Sequence, residues 1–300
     1  MSTRRVLAVF LAISSGLLLA ACSKQDEAPM AVAPQPSATA TDNAIVAAVS
    51  SPTRSDIDKS RDKYRHPSEA LAFWGLKPGM SILEVQPGAG WWTEILAPYA
   101  KATDGQFYVT AADNTNPQMS DGAREARAQF EAKFAKQPDT YGTVQMVNFS
   151  ARTPTLPAEQ FDFILTARSV HGWMGAGVAD SVFKSFASAL KPGGILAVEQ
   201  HRANPGEQDP KAESGYVTEA YVVQLAEQAG LELVERSEIN ANPADTKDHP
   251  FGVWTLPPTA RTRPFSEGNE PNPSFDRAKY DAIGESDRMT LKFRKAQARG

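Results

Sequence analysis

The stretch Ile82-Leu83-Glu84-Val85-Gln86-Pro87-Gly88-Ala89-Gly90-Trp91-Trp92-Thr93 decides the fold. An apolar run with Glu84 near its end reads as a strand, and the residues from Trp92 onward read as a helix, with a glycine turn between them. Gly88 and Gly90 have no Cβ, so the backbone there can turn with positive φ and lie directly against a ligand. The helix that follows presents its unpaired N–H groups to the same place. Strand, turn and helix together describe a socket for a nucleotide cofactor. A dinucleotide fingerprint, G-x-G-x-x-G, wants a third small residue three places after Gly90, where Thr93 stands behind two tryptophans, so NAD fits poorly.

The flanking chain repeats the strand-helix alternation. Residues 67–74 read as a helix with Pro67 at its start and Gly75 at its stop. After the turn, residues 106–112 read as a second strand closed by Asp113, 125–136 as a helix, 143–149 as a third strand and 161–167 as a fourth. A helix over 178–190 stops at Lys191-Pro192-Gly193-Gly194, and 195–200 form a fifth, buried strand. This order predicts an α/β fold: a doubly wound, mostly parallel sheet with right-handed crossovers and helices on both faces. Ligands in such sheets sit at the carboxyl ends of the strands. A helix over 217–229 then leads to strands at 231–239 and 289–293, which are expected to pair antiparallel. The insertion between them, about 240–286, is dense in Pro, Asn and Asp. It also carries Phe251, Trp254, Leu256, Phe265 and Phe275, too many large apolar side chains for a solvated linker, so it is expected to fold over the pocket, with Trp254 packed down and His249 near the opening.

The N-terminus reads as an export signal, with Arg4 and Arg5 before an apolar run from Val6 to Ala20. Leu19-Ala20-Ala21-Cys22 resembles the bacterial lipoprotein box, in which the cysteine is lipidated and becomes the first residue of the mature chain. Cys22 is the only cysteine among the 300 residues, so no internal disulfide competes for it. Domain organisation follows: residues 1–21 a lipoprotein signal peptide, 22–52 a flexible Ala/Pro/Ser/Thr-rich tether, and 53–300 one globular domain. Several acyl chains on one residue anchor a protein stably, which places the mature protein at a membrane of the cell envelope, facing the periplasm, with Ser23 favouring the outer membrane. Removing residues 1–21 takes away two arginines and no acid, moving the net charge from −4 to −6. Nothing in that charge points to nucleic acid.

Four landmarks stand in the order of one family: the glycine turn, Asp113 after the second strand, Phe161-Asp162 opening the fourth, and Leu190-Lys191-Pro192-Gly193-Gly194 before the fifth. Together they resemble the S-adenosylmethionine-dependent methyltransferases of the Rossmann-like, class I superfamily, and most closely exported members with an aromatic pair after the turn. The resemblance covers about residues 67–293. It implies a seven-stranded sheet whose last strand is antiparallel, and S-adenosylmethionine as cofactor. It also implies a binding set of Glu84, Gln86, Pro87, Gly88, Ala89, Gly90 and Asp113. In the family, the turn packs on the methionine and ribose part, Glu84's position holds the ammonium, and Asp113's position accepts hydrogen bonds from the ribose hydroxyls. Two departures stand out: Gln86 replaces the usual first glycine, and no acid ends the third strand, where Asn148 and Ser150 are the nearest polar residues.

On the substrate side His171 follows the fourth strand, where its near-neutral pKa suits a general base; structural hydrogen bonding is the competing use. His201 also falls near the carboxyl edge, while His66 precedes the first helix and His249 sits in the long insertion. No ligand spacing supports a metal site. Trp91 and Trp92 either wall the pocket or pack in the core. The expected activity is methyl transfer to a small molecule or an envelope component. S-adenosylmethionine is made in the cytoplasm, however, which favours an alternative of another class: a non-catalytic ligand-binding lipoprotein that keeps the fold.

Overall fold

The computed structural model describes residues 40–297, which belong to one compact unit. The signal peptide, Cys22 and the tether up to residue 39 lie outside the described residues. Among the described residues no helix is long and apolar enough to cross a membrane.

The chain enters through α1 (Ala40–Val49), two short helical turns, α2 (Asp56–Lys59) and α3 (Asp62–Arg65), and α4 (Pro67–Trp74). Helix α1 corrects the sequence reading, which placed all of 22–52 in the tether. Ile45 and Ala48 are buried, three residues apart and therefore on one helix face, and they join the core formed by α4 and the helix after the glycine turn. Residues 40–49 thus belong to the folded domain.

Strand β1 (Ser81–Val85), α5 (Thr93–Ala102), β2 (Gln106–Ala111), α6 (Asp121–Ala135), α7 (Pro138–Tyr141) and β3 (Val144–Asn148) form the first half. Strand β4 (Phe161–Ala167), α8 (Val170–Gly175), α9 (Ala179–Ala189), β5 (Leu190–His201), α10 (Glu219–Gln228) and β6 (Leu231–Ser237) form the second. The insertion contributes β7 (Pro250–Val253) and α11 (Ala278–Ile283) before β8 (Arg288–Lys295) closes the sheet. The seven sheet strands run in the order β3-β2-β1-β4-β5-β8-β6. β1 pairs parallel with β2 and β4, β2 with β3, and β4 with β5, whereas β8 is antiparallel to both β5 and β6. This is the Rossmann-like methyltransferase sheet with its antiparallel last strand.

Side chains alternate across such a sheet, and two cores result. Leu83, Val85 and Ile164 face α9 and α10, where Val182, Phe183, Phe186 and Val222 are buried. Ile82, Val109, Phe163 and Leu165 face α1, α4 and α5. Lys191-Pro192-Gly193-Gly194 is a bulge within β5 rather than a turn ahead of it. Leu190 already pairs with Phe161, and the next register pair is Phe163 with Ile195. Gly193 takes φ 80 there, and Lys191 Nζ reaches Asp162 Oδ2 at 2.7 Å.

Candidate active site

Beyond Val85 the chain leaves β1 in left-handed conformations: Gln86 at φ 51, Gly88 at φ 58 and Gly90 at φ 92. The two glycines serve different ends. A Cβ on Gly88 would meet nothing within 4 Å, whereas one on Gly90 would lie 2.7 Å from Phe134 Cζ. Gly88 therefore leaves a face open, and Gly90 lets α6 pack against the turn. Ser120 caps α6 by accepting from Ala123 N, and Lys133 of the same helix donates to Ala89 O at 2.9 Å and pairs with Glu94 at 2.7 Å.

The open face borders a cavity of about 430 Å³ at the carboxyl ends of β1, β2 and β3. Gln86, Pro87 and Gly88 form one side, and Ala112, Met146 and Phe149 belong to the others. Helix α6 closes it with Ala123, Ala126, Arg127 and Phe130. Arg127 Nη1 donates to both Ala112 O and Asn148 Oδ1, each at 2.6 Å, tying the ends of β2 and β3 together. Asn148 is thereby held as a strut. The sequence reading saw the periodicity of this helix but not its place on the cavity; the spacing of Ala123, Ala126 and Phe130 on one face was the available signal.

Asp113 follows Ala112 in the chain but does not itself line the cavity. Its Oδ1 accepts from Thr115 N at 2.9 Å and Thr115 Oγ1 at 2.7 Å, which lowers its pKa. Oδ2 makes no hydrogen bond among the described residues. Glu84, which the resemblance assigns to holding the ammonium directly or through water, does not line this cavity. It shares the α5 face of β1 with Ile82, as a two-residue period requires, and is buried with Oε2 accepting from Thr93 Oγ1 at 2.5 Å. Burial pushes its carboxyl up to about 8, against the opposing effects of Thr93 and Lys133. Trp91 and Trp92 are core residues, packed edge to face at 4.8 Å, and Arg54 and Arg65 lie over the Trp91 ring at 5.2 and 4.6 Å.

A second cavity, about 360 Å³, lies beside the first, with Gln86 common to both. Arg168, Ser169 and His171 after β4, His201 at the end of β5, and Trp254, Pro257 and Pro258 of the insertion line it. The insertion packs against this cavity. Val253 N donates to Ser214 O at 2.8 Å, and Trp254 stands edge-on to His171 at 5.7 Å. His249 corrects the expectation: it is buried away from the opening, with Nε2 2.7 Å from Asp245 Oδ1. His66 is likewise outside the cavity, 3.3 Å from Asn240 Oδ1.

The role of His171 follows from its neighbours. Gln200 Oε1 accepts from Val170 N at 3.1 Å, and its amide nitrogen donates to Gly215 O at 3.2 Å. Those two backbone groups fix the amide orientation, so the NH₂ that lies 3.2 Å from His171 Nδ1 is a donor. Burial, with Arg168 nearby, lowers the His171 pKa. The neutral ring then carries its proton on Nε2, and it offers an N–H rather than a lone pair. That arrangement fits the structural hydrogen bonding named above as the competing use. His201, 5.7 Å away ring to ring, has its Nδ1 2.6 Å from Ser286 Oγ, and burial drives its pKa well below the usual imidazole value.

Residues 83–198 match the methyltransferase domain family. That segment runs from β1 through β5 and contains the glycine turn, Asp113, Arg168 and His171. Among solved structures the chain is similar to a SAM-dependent methyltransferase from Aquifex aeolicus, with 20% identity, coverage of 60% of this chain and 87% of that one, and a TM-score of 0.46. It is similar to the 1,6-didemethyltoxoflavin-N1-methyltransferase of Burkholderia thailandensis, solved with 1,6-didemethyltoxoflavin and S-adenosylhomocysteine, at 14% identity, 81% and 82% coverage and a TM-score of 0.45. It is also similar to the N-methyltransferase NodS of Bradyrhizobium japonicum, at 14% identity, 81% and 98% coverage and a TM-score of 0.45. No curated protein matches the chain.

Proposed function

We propose that the chain is an S-adenosylmethionine-dependent methyltransferase acting on a small molecule or an envelope component, anchored through lipidated Cys22 and facing the periplasm. The observation that carries the reading is the open face of Gly88 on the larger cavity, inside the segment that matches the methyltransferase domain. The residues fit the cofactor. Gly88 leaves open space that a side chain would fill, Met146 and Phe149 offer apolar walls to a flat base, and Asp113 Oδ2, next to the lining residue Ala112, suits ribose hydroxyls. Bound there, S-adenosylmethionine supplies an electrophilic methyl group on a sulfonium. The chain's own residues then have to align an acceptor and keep water out. The insertion excludes water through Trp254, Pro257 and Pro258, and His171 orients the acceptor by donating from Nε2.

Calorimetry of the full-length protein with S-adenosylmethionine, S-adenosylhomocysteine and NAD tests the reading. The first two are expected to bind and NAD to fail; NAD binding alone would sink it. The second reading, a binding protein without turnover, draws on the same His171 geometry, since an acceptor hydroxyl or ammonium would find an N–H where it needs a base. S-adenosylmethionine that binds but is never converted to S-adenosylhomocysteine during incubation with cell-envelope extract would select it.

A further inference from the structure

Arg168 is the first residue after β4, held at φ 59 by its backbone N–H donating to Glu199 O at 2.7 Å. A non-glycine residue in that left-handed region is strained, and such strain concentrates at ligand sites. Its guanidinium forms no ion pair or hydrogen bond among the described residues, and its Nε is buried without a partner. Of the carboxylates nearby, Glu285 is taken, and Glu199 faces Arg288 without accepting a hydrogen bond. Glu285 receives Arg61 at 2.8 Å, Arg65 at 2.9 Å and Arg288 at 3.0 Å, and Glu199 receives Arg288 at 2.9 Å. Three guanidiniums thus share two carboxylates behind the smaller cavity while Arg168 stands without an ion pair, and a buried cation is costly until it is paired. The strain of this arrangement is felt by Arg65, whose pKa burial and then Arg168 push down to about 9.

We infer that the acceptor bound in the smaller cavity carries a carboxylate, that Arg168 and the His171 Nε2–H receive it, and that an apolar, aromatic-sized body lies between Trp254 and the Pro257–Pro258 wall. This rests on the methyltransferase reading only for the word acceptor; the anion site stands on the unpaired guanidinium. The lining supplies both halves of such a ligand's needs: cation and donor at the β4 end, ring faces and prolines at the insertion end.

Titration of the full-length protein with benzoate and with benzamide, its neutral counterpart of equal shape, tests the inference. Benzoate is expected to bind at least about ten-fold more tightly than benzamide, and Arg168→Met is expected to cost benzoate about ten-fold or more. The affinity for S-adenosylhomocysteine should stay within about two-fold, since that ligand is assigned to the larger cavity. Equal affinity for benzoate and benzamide overturns the inference, as does benzoate binding that survives Arg168→Met. It is equally overturned if Arg168→Met weakens S-adenosylhomocysteine but spares 5′-methylthioadenosine, because the guanidinium would then belong to the cofactor's own carboxylate. Should the variant fail to fold, the comparison of benzoate with benzamide on the unaltered protein decides. Loss of all S-adenosylhomocysteine binding with the benzoate preference intact would end the methyltransferase reading and leave the anion site standing.

Discussion

A Cβ built on Gly90 would lie 2.7 Å from Phe134 Cζ, and Phe134 has no room to retreat, being buried and packed on Tyr141 at 4.9 Å and Phe130 at 4.8 Å. Gly90→Ala is therefore expected to lower stability by about 2 to 3 kcal/mol, combining overpacking with left-handed strain. Gly88→Asn, two residues away, should stay within about 1 kcal/mol of the parent, because asparagine tolerates positive φ and its side chain enters open space. S-adenosylhomocysteine affinity should fall sharply in Gly88→Asn. Urea denaturation and calorimetry on the two variants check the pair, and equal stability loss in both would contradict the division of labour between these glycines.

Glu84 gives a pH signature. Its carboxyl is raised from 4.5 to about 8 by burial, so the folded chain holds a proton that the unfolded chain has lost across that interval. Stability from this group is full below about pH 4.5 and declines as pH rises to about 8. Glu84→Gln, which cannot ionise, should flatten that decline and leave the variant more stable than the parent at pH 8 by an amount on the order of a few kcal/mol. Thermal melts at pH 5 and pH 8 provide the comparison; a parallel fall in both proteins would mean that the buried carboxyl keeps its ordinary pKa.

Much of this was legible beforehand, and the exceptions have physical reasons. The strands and the glycine turn follow from periodicity and from local turn chemistry. Helix α1 was missed because its Ala, Thr and Val residues resemble the tether before it, and only the Ile45 and Ala48 spacing marks a packed face. Glu84 was placed by its resemblance to a ligand residue, although its shared face with Ile82 points it under α5. The charge cluster was invisible for another reason: Arg65 and Glu285 lie 220 residues apart, so nothing local announces that they meet. Arg168 was not singled out from the sequence, because only the fold shows that its guanidinium makes no ion pair beside this cluster.

Gln86 occupies the family's glycine position at φ 51 and borders both cavities. Gln86→Gly should relieve left-handed strain and raise stability by about 1 kcal/mol, less the flexibility that glycine adds to the unfolded chain. If the amide side chain contacts ligand, the same change should weaken S-adenosylhomocysteine or benzoate binding. Chemical denaturation alongside titration separates the two effects. A variant that is both more stable and an equal binder would show that Gln86 only fills space between the cavities.

Glu285 carries the buried charge cluster. Three guanidiniums surround it, and Arg65 and Arg288 hold its carboxyl down at about 2 despite burial. Glu285→Ala leaves those cations without their shared anion, and breaking a buried pair from one side typically costs about 3 to 5 kcal/mol. Glu285→Gln should recover part of the hydrogen bonding and none of the charge. The pH dependence has a definite sign: a depressed carboxyl contributes stability that is full above about 4.5 and is lost as pH falls toward about 2. Acid unfolding of the parent should therefore steepen across that window, and Glu285→Gln should lose the steepening. Because Glu285 also offsets the charge of Arg168, its removal should tighten benzoate binding in whatever fraction of the protein remains folded. Benzoate titration of Glu285→Gln reads this directly, and weaker binding there would show that the cluster positions Arg168 rather than setting the charge it presents.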